Sequence, residues 1–110
     1  MQKHRSELQY SPEAIADLDD IWSYISDELQ NPDSAVSTVF DIMDTVDTLQ
    51  DFPMIGPELF SVTGIESDYR FLVCGSYLTI YHLGETAVYI DRVLYEKRDY
   101  IRVLFPKEEN

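Results

Sequence analysis

The sequence predicts an α+β domain in which two amphipathic helices cover one small β-sheet. Three observations lead there. Apolar residues recur at helical spacing in the first half, three strand-like runs fill the second half, and turn-forming links separate the runs. At 110 residues, with 45% hydrophobic and 26% charged residues, the chain has the size and composition of one folded domain, expected over residues 1–110.

The first helix opens at Ser11-Pro12-Glu13. Ser11 can cap, Pro12 lacks only an N–H that the first turn does not need, and Glu13 suits the positive end of the helix dipole. Ile15, Leu18, Ile21, Trp22, Ile25 and Leu29 then form an expected core stripe. Asn31-Pro32-Asp33 repeats the start signal, so the first helix ends near Gln30 and a second follows at once. Its expected stripe is Val36, Val39, Phe40, Met43, Val46 and Leu49. So short a link makes an antiparallel helical hairpin.

Phe52-Pro53 ends the second helix, and residues 54–68 lack a period and read as a long loop. Three strands are expected at residues 69–74, 77–83 and 87–95. Gly75-Ser76 and Gly84-Glu85 separate them, glycine-first links that suit type II′ hairpins and an antiparallel meander. Residues 6–10 are a candidate fourth strand, and residues 97–105 a closing short helix or extension.

Composition excludes several function classes. Eight Lys and Arg against 21 Asp and Glu give a net charge of −13, which a phosphate backbone repels, so general nucleic-acid binding is not expected. Residues 1–60 hold two cations and thirteen acids, residues 61–110 six cations and eight acids, so anion-handling chemistry belongs to the second half. Cys74 is the single cysteine, His4 and His82 have no ligand-type neighbours in sequence, and neither a metal nor a cofactor is expected. No apolar run has the length of a membrane span or follows the N-terminus as a signal would, so a cytoplasmic protein without membrane contact is expected.

Tyr10-Ser11-Pro12-Glu13-Ala14 leads into the helix from Asp17 through Trp22 to Ile25. Leu49-Gln50-Asp51-Phe52-Pro53 with Gly56, the strands Tyr69-Arg70-Phe71-Leu72-Val73 and Tyr77-Leu78-Thr79-Ile80-Tyr81, and the stretch from Arg92 to Tyr100 follow, to about Phe105. In this order and spacing these motifs resemble the RelE/ParE superfamily of bacterial toxins. The resemblance implies the toxin of a type II toxin–antitoxin (plasmid stabilisation) module, with an antitoxin as partner. Its ParE-like members inhibit DNA gyrase, and its RelE-like members cut messenger RNA on the ribosome.

Attack by a 2′-hydroxyl requires a base, an acid and cations at the phosphate. On the RelE-like alternative the resemblance assigns Arg70 and Arg98 to the phosphate and Glu58 to the base. Two further positions that RelE-like toxins fill with polar groups fall on Leu78 and Leu104, which can donate nothing. The ParE-like reading tolerates both leucines, with Arg70, Lys97, Arg98 and Arg102 as target contacts. Arg70 can equally be a surface partner for an acid of the first half, and Arg92 an ion pair beside Asp91. His82 reads as a packing residue, and Trp22 as core. The acids Asp17, Asp20, Asp41, Asp44 and Asp47 are expected to face a Lys- and Arg-bearing antitoxin segment.

Overall fold

Local chemistry starts each element where the sequence signals it. The computed structural model describes residues 5–96 and 100–106. In chain order it contains β1 (Glu7–Tyr10), α1 (Pro12–Ser23), α2 (Pro32–Asp47), α3 (Phe60–Thr63), β2 (Arg70–Cys74), β3 (Tyr77–Leu83), β4 (Ala87–Tyr95) and α4 (Tyr100–Leu104). The Ser11 hydroxyl accepts from the Ala14 N–H at 2.9 Å, and the Asn31 side chain accepts from Ser34 N–H at 3.1 Å, so both predicted starts are side-chain caps.

A π-helical turn at Tyr24–Glu28 prolongs α1, and Gln30 breaks it at φ 52. The wider turn rotates later residues around the axis, which carries Leu29 off the core stripe; it is 57% exposed. Residues 54–68 are not wholly irregular, since α3 forms there and Gly64 ends it at φ 71.

The sheet order is β1-β4-β3-β2. β2, β3 and β4 form the expected antiparallel meander, while β1 pairs with β4 in parallel and makes the sheet mixed. Gly75 adopts the positive φ of 58 that a glycine-first, two-residue turn requires. The second link differs from expectation: it runs over three residues, Gly84 to Thr86, and Gly84 is not among the positive-φ glycines.

A register shift opposite Ile80 and Tyr81 pairs them with Arg92 and Ile90, leaving Asp91 as the extra residue of a bulge. That bulge docks α1. Ser11 donates its N–H to Ile90 O at 2.9 Å and its hydroxyl to Asp91 O at 2.8 Å. One residue on, Arg92 Nε and Nη2 grip the Asp17 carboxylate at 2.8 and 2.7 Å, and Val93 N–H donates to it at 2.9 Å. Arg92 is thus ion-paired as expected, but with Asp17 of the helix rather than its neighbour Asp91.

The helix-side core joins Ala14, Ile21 and Ile25 of the first helix and its π turn to Ala35, Ile42, Val46 and Leu49, and to Tyr81, Val88, Ile90 and Val93 of the sheet. Ile42 is fully buried, so its truncation to Ala should cost about 2–5 kcal/mol. The expected stripes are only half right. Ile21, Ile25, Val46 and Leu49 are buried, but Ile15, Trp22, Val36, Phe40 and Met43 are exposed. Each helix carries two adjacent apolar rows, and the sheet took the row containing the small residues Ala14 and Ala35, which let backbones approach closely. Trp22, expected in the core, is 39% exposed.

Candidate functional site

Arg70, the first residue of β2, faces Tyr81 of β3 across the ladder, and together they hold the turn after α2. Arg70 Nη1 donates to Gly56 O at 2.8 Å and lies 3.5 Å from Met54 O. The buried Tyr81 hydroxyl accepts from Gly56 N–H at 3.0 Å and donates to Pro53 O at 2.9 Å. Burial pushes the Tyr81 phenol above its ordinary value, with the Gly56 N–H and Arg70 opposing the shift. No side chain fits at Gly56, because a Cβ would run into the Phe71 carbonyl oxygen and lie 2.6 Å from the Tyr81 hydroxyl. The clamped turn presents Phe52, Met54 and Ile55, each more than half exposed.

Further main-chain bonds extend this frame. Phe71 N–H donates to Pro57 O and Leu59 N–H to Tyr69 O, so residues 57–59 run beside the start of β2. Glu58 and Arg70 form an isolated antiparallel bridge, and their side chains approach to 3.7 Å. The structure therefore brings together two of the residues singled out from sequence. The Arg70 side chain is only 16% exposed, and its donors are directed at loop carbonyls and Glu58.

Arg102 sits exposed on α4. Lys97 and Arg98 lie outside the described residues. Leu78 is buried with Leu59 and Ile80 in a second apolar cluster, and Tyr69, Phe71, Tyr100, Leu104 and Phe105 pack against it. Tyr69 and Phe105 meet edge-on at 5.7 Å. Leu78 and Leu104, the two positions at which the resemblance sets polar groups in RelE-like toxins, are thus part of hydrophobic packing that joins the sheet to α4.

Sequence reasoning missed two polar devices. His82 is not merely a packing residue: Nδ1 lies 2.7 Å from Asp91 Oδ2, and its ring stacks on Tyr89 at 5.0 Å. Burial raises the Asp91 carboxyl above its ordinary value, partly offset by His82 and reinforced by Glu13. Asp17 is the other. It is buried and neutralised by Arg92, so it offers no free charge to a partner, unlike the expectation for that acid. A signal was present, since residues 14, 17 and 21 share the helical phase of the core. The guanidinium that makes this tolerable comes from 75 residues away. Among the described residues no group of three or more His, Cys, Asp or Glu side chains is placed to hold a metal ion, and no helix is long and apolar enough to cross a membrane.

A helical hairpin docked on a four-stranded mixed sheet, its far side closed by a short helix, is a fold that a solved toxin–antitoxin structure contains. A chain of the structure titled "Chromosomal ParDE TA system from P. aeruginosa" shares it with a TM-score of 0.71 at 24% identity, over 84% of this chain and 98% of that one. A chain of the E. coli DinJ–YafQ toxin–antitoxin complex aligns at 14% identity over 92% of this chain and 98% of that one, with a TM-score of 0.48. A search of curated proteins finds no significant match. Residues 8–100 match the family described as "ParE toxin of type II toxin-antitoxin system, parDE", and the chain belongs to that family.

Proposed function

We propose that this ParE-family toxin arrests growth by binding a protein target, DNA gyrase, until its antitoxin sequesters it, and that it does not itself cut RNA. The observation that carries the reading is the second apolar cluster. Leu78 and Leu104 belong to it, where RNA cleavage would need groups that donate to a phosphate or carry a proton. Arg70 supports it too, because its donors hold Gly56 O and Met54 O and so make it a positioning residue for the turn carrying Phe52, Met54 and Ile55. Exposed Ile15, Trp22, Val36, Phe40 and Met43 favour protein partners, since apolar surface on this scale marks interaction sites. Net charge −13 disfavours docking on ribosomal RNA.

Lys97, Arg98 and Arg102 enter as target contacts from the family resemblance. The purified chain should inhibit gyrase supercoiling of relaxed plasmid, and induced cells should filament. Messages mapped after induction should be intact. Cuts in the ribosomal A site that disappear with Arg98→Ala would replace this reading with the ribonuclease one.

A further inference from the structure

A cleft of about 750 Å³ opens between the end of α1 with its π turn, the first half of α2, the β2–β3 turn and the end of β4. Its walls combine two kinds of group. Tyr24, Leu29 and Tyr95 contribute apolar surface that is 55, 57 and 44% exposed. Tyr77 and Tyr95 meet edge-on at 5.8 Å, and Tyr24 is close enough to Tyr77 to help raise its phenol, whose shift comes first from burial. Asp20 of the first helix and Asp41 of the second both line the same space, and neither has an ion-pair partner among the described residues. Asp17 also lines the cleft, but Arg92 already neutralises it. Among the described residues no Lys, Arg or His contributes to the lining.

Aliphatic and aromatic walls with uncompensated carboxylates fit a side chain with an apolar stem and a cationic head. Arginine matches better than lysine, because its planar guanidinium stacks on tyrosine while donating to a carboxylate. We propose that this cleft receives an arginine, flanked by aliphatic residues, from the toxin-binding segment of the antitoxin. The inference rests on the toxin–antitoxin reading and adds to it a place and a chemistry. The occupant is argued from charge complementarity: the cleft is anionic and apolar at once, so a purely apolar helix would strand Asp20 and Asp41, and an acidic one would be repelled.

The test uses the full chain and the antitoxin encoded with it. Dissociation constants are measured at about 0.05 M and about 0.5 M salt, concentrations between which exposed charge pairs become screened. Asp20→Asn with Asp41→Asn should weaken binding about tenfold or more at low salt, and the loss should shrink to about threefold at high salt. Tyr24→Ala should weaken binding at both salts. Asp19→Asn with Glu85→Gln, exposed acids outside the cleft, should change affinity less than about twofold. Equal urea midpoints establish that the variants remain folded, and hydrogen exchange on the complex should protect residues 20–29 and 75–77. If the wild-type chain binds the antitoxin while the Asp20/Asp41 variant binds as tightly, or the control variant weakens equally, the cleft assignment falls and the module reading stands. If the wild-type chain fails to bind the antitoxin, both fall.

Discussion

Replacing Asp17 by Ala should destabilise the domain by about 4 kcal/mol, and that figure can be worked from the contacts. The carboxylate accepts three hydrogen bonds, two from Arg92 at 2.8 and 2.7 Å and one from Val93 N–H at 2.9 Å, and its side chain is 7% exposed. Stranding one partner of a buried ion pair costs about 3–5 kcal/mol, and an unsatisfied buried N–H a further ~1–3 kcal/mol. The Arg92 side chain keeps 23% of its exposure and can recover part of its hydration, which brings the total toward the lower end. Asp17→Asn keeps the shape and one acceptor but not the charge, so about 2 kcal/mol is expected. Against a stability of about 5–15 kcal/mol for a domain of this kind, the alanine variant should be close to the limit of folding at growth temperature.

Urea denaturation followed by far-UV circular dichroism measures these losses, provided the slope with denaturant is unchanged. A double-mutant cycle with Arg92→Ala should return a coupling of about 2 kcal/mol, because each single variant leaves a buried partner without its counter-charge. A cost below about 1 kcal/mol for Asp17→Ala, or a coupling near zero, would refute the claim that this pair joins α1 to the β4 bulge.

Other substitutions test the remaining devices. Gly56→Ala should cost about 1–3 kcal/mol by driving the turn away from the Phe71 carbonyl and the Tyr81 hydroxyl off Gly56 and Pro53, seen as a lower urea midpoint and faster exchange of residues 53–57. Tyr10→Phe should be neutral or slightly stabilising in the same assay. The Tyr10 hydroxyl is buried without a hydrogen-bond partner among the described residues, and burial with Asp47 nearby pushes its pKa up to about 12. Asp91 has a folded-state pKa raised above 3.8, so the folded protein binds its proton more tightly than the unfolded chain does. Its contribution favours folding below that value and is lost as pH rises through the raised one. Asp91→Asn should therefore flatten that part of the stability–pH curve, and an unchanged curve would show that the His82 contact cancels burial.

Caps, breaks and strand runs were legible because they are local. Ser11, Asn31 and Gly75 act through bonds or dihedrals within a few residues, and each sits where the spacing put it. The phase of the helices was only partly legible. Ile15 and Ala14 are adjacent in sequence, and helical period alone cannot tell which row of two faces the sheet. The candidate site was harder still. Arg70 and Glu58 could be marked as candidates, yet their pairing depends on the chain folding residues 57–59 back along β2. Tyr81 carried no polar signal in an apolar strand, although its hydroxyl fixes the Gly56 turn.

By itself the sequence determined the class of fold, the order of its elements, the surplus of negative charge and the absence of polar groups at Leu78 and Leu104. Those properties follow from composition and from interactions spanning a few residues. Tertiary structure alone decided that β1 joins β4 in parallel, that Asp17 is spent on Arg92, and that Asp20 and Asp41 line one cleft with three tyrosines. Each of these depends on distant segments meeting, and the energy of burying a charge is set by the partner it finds there.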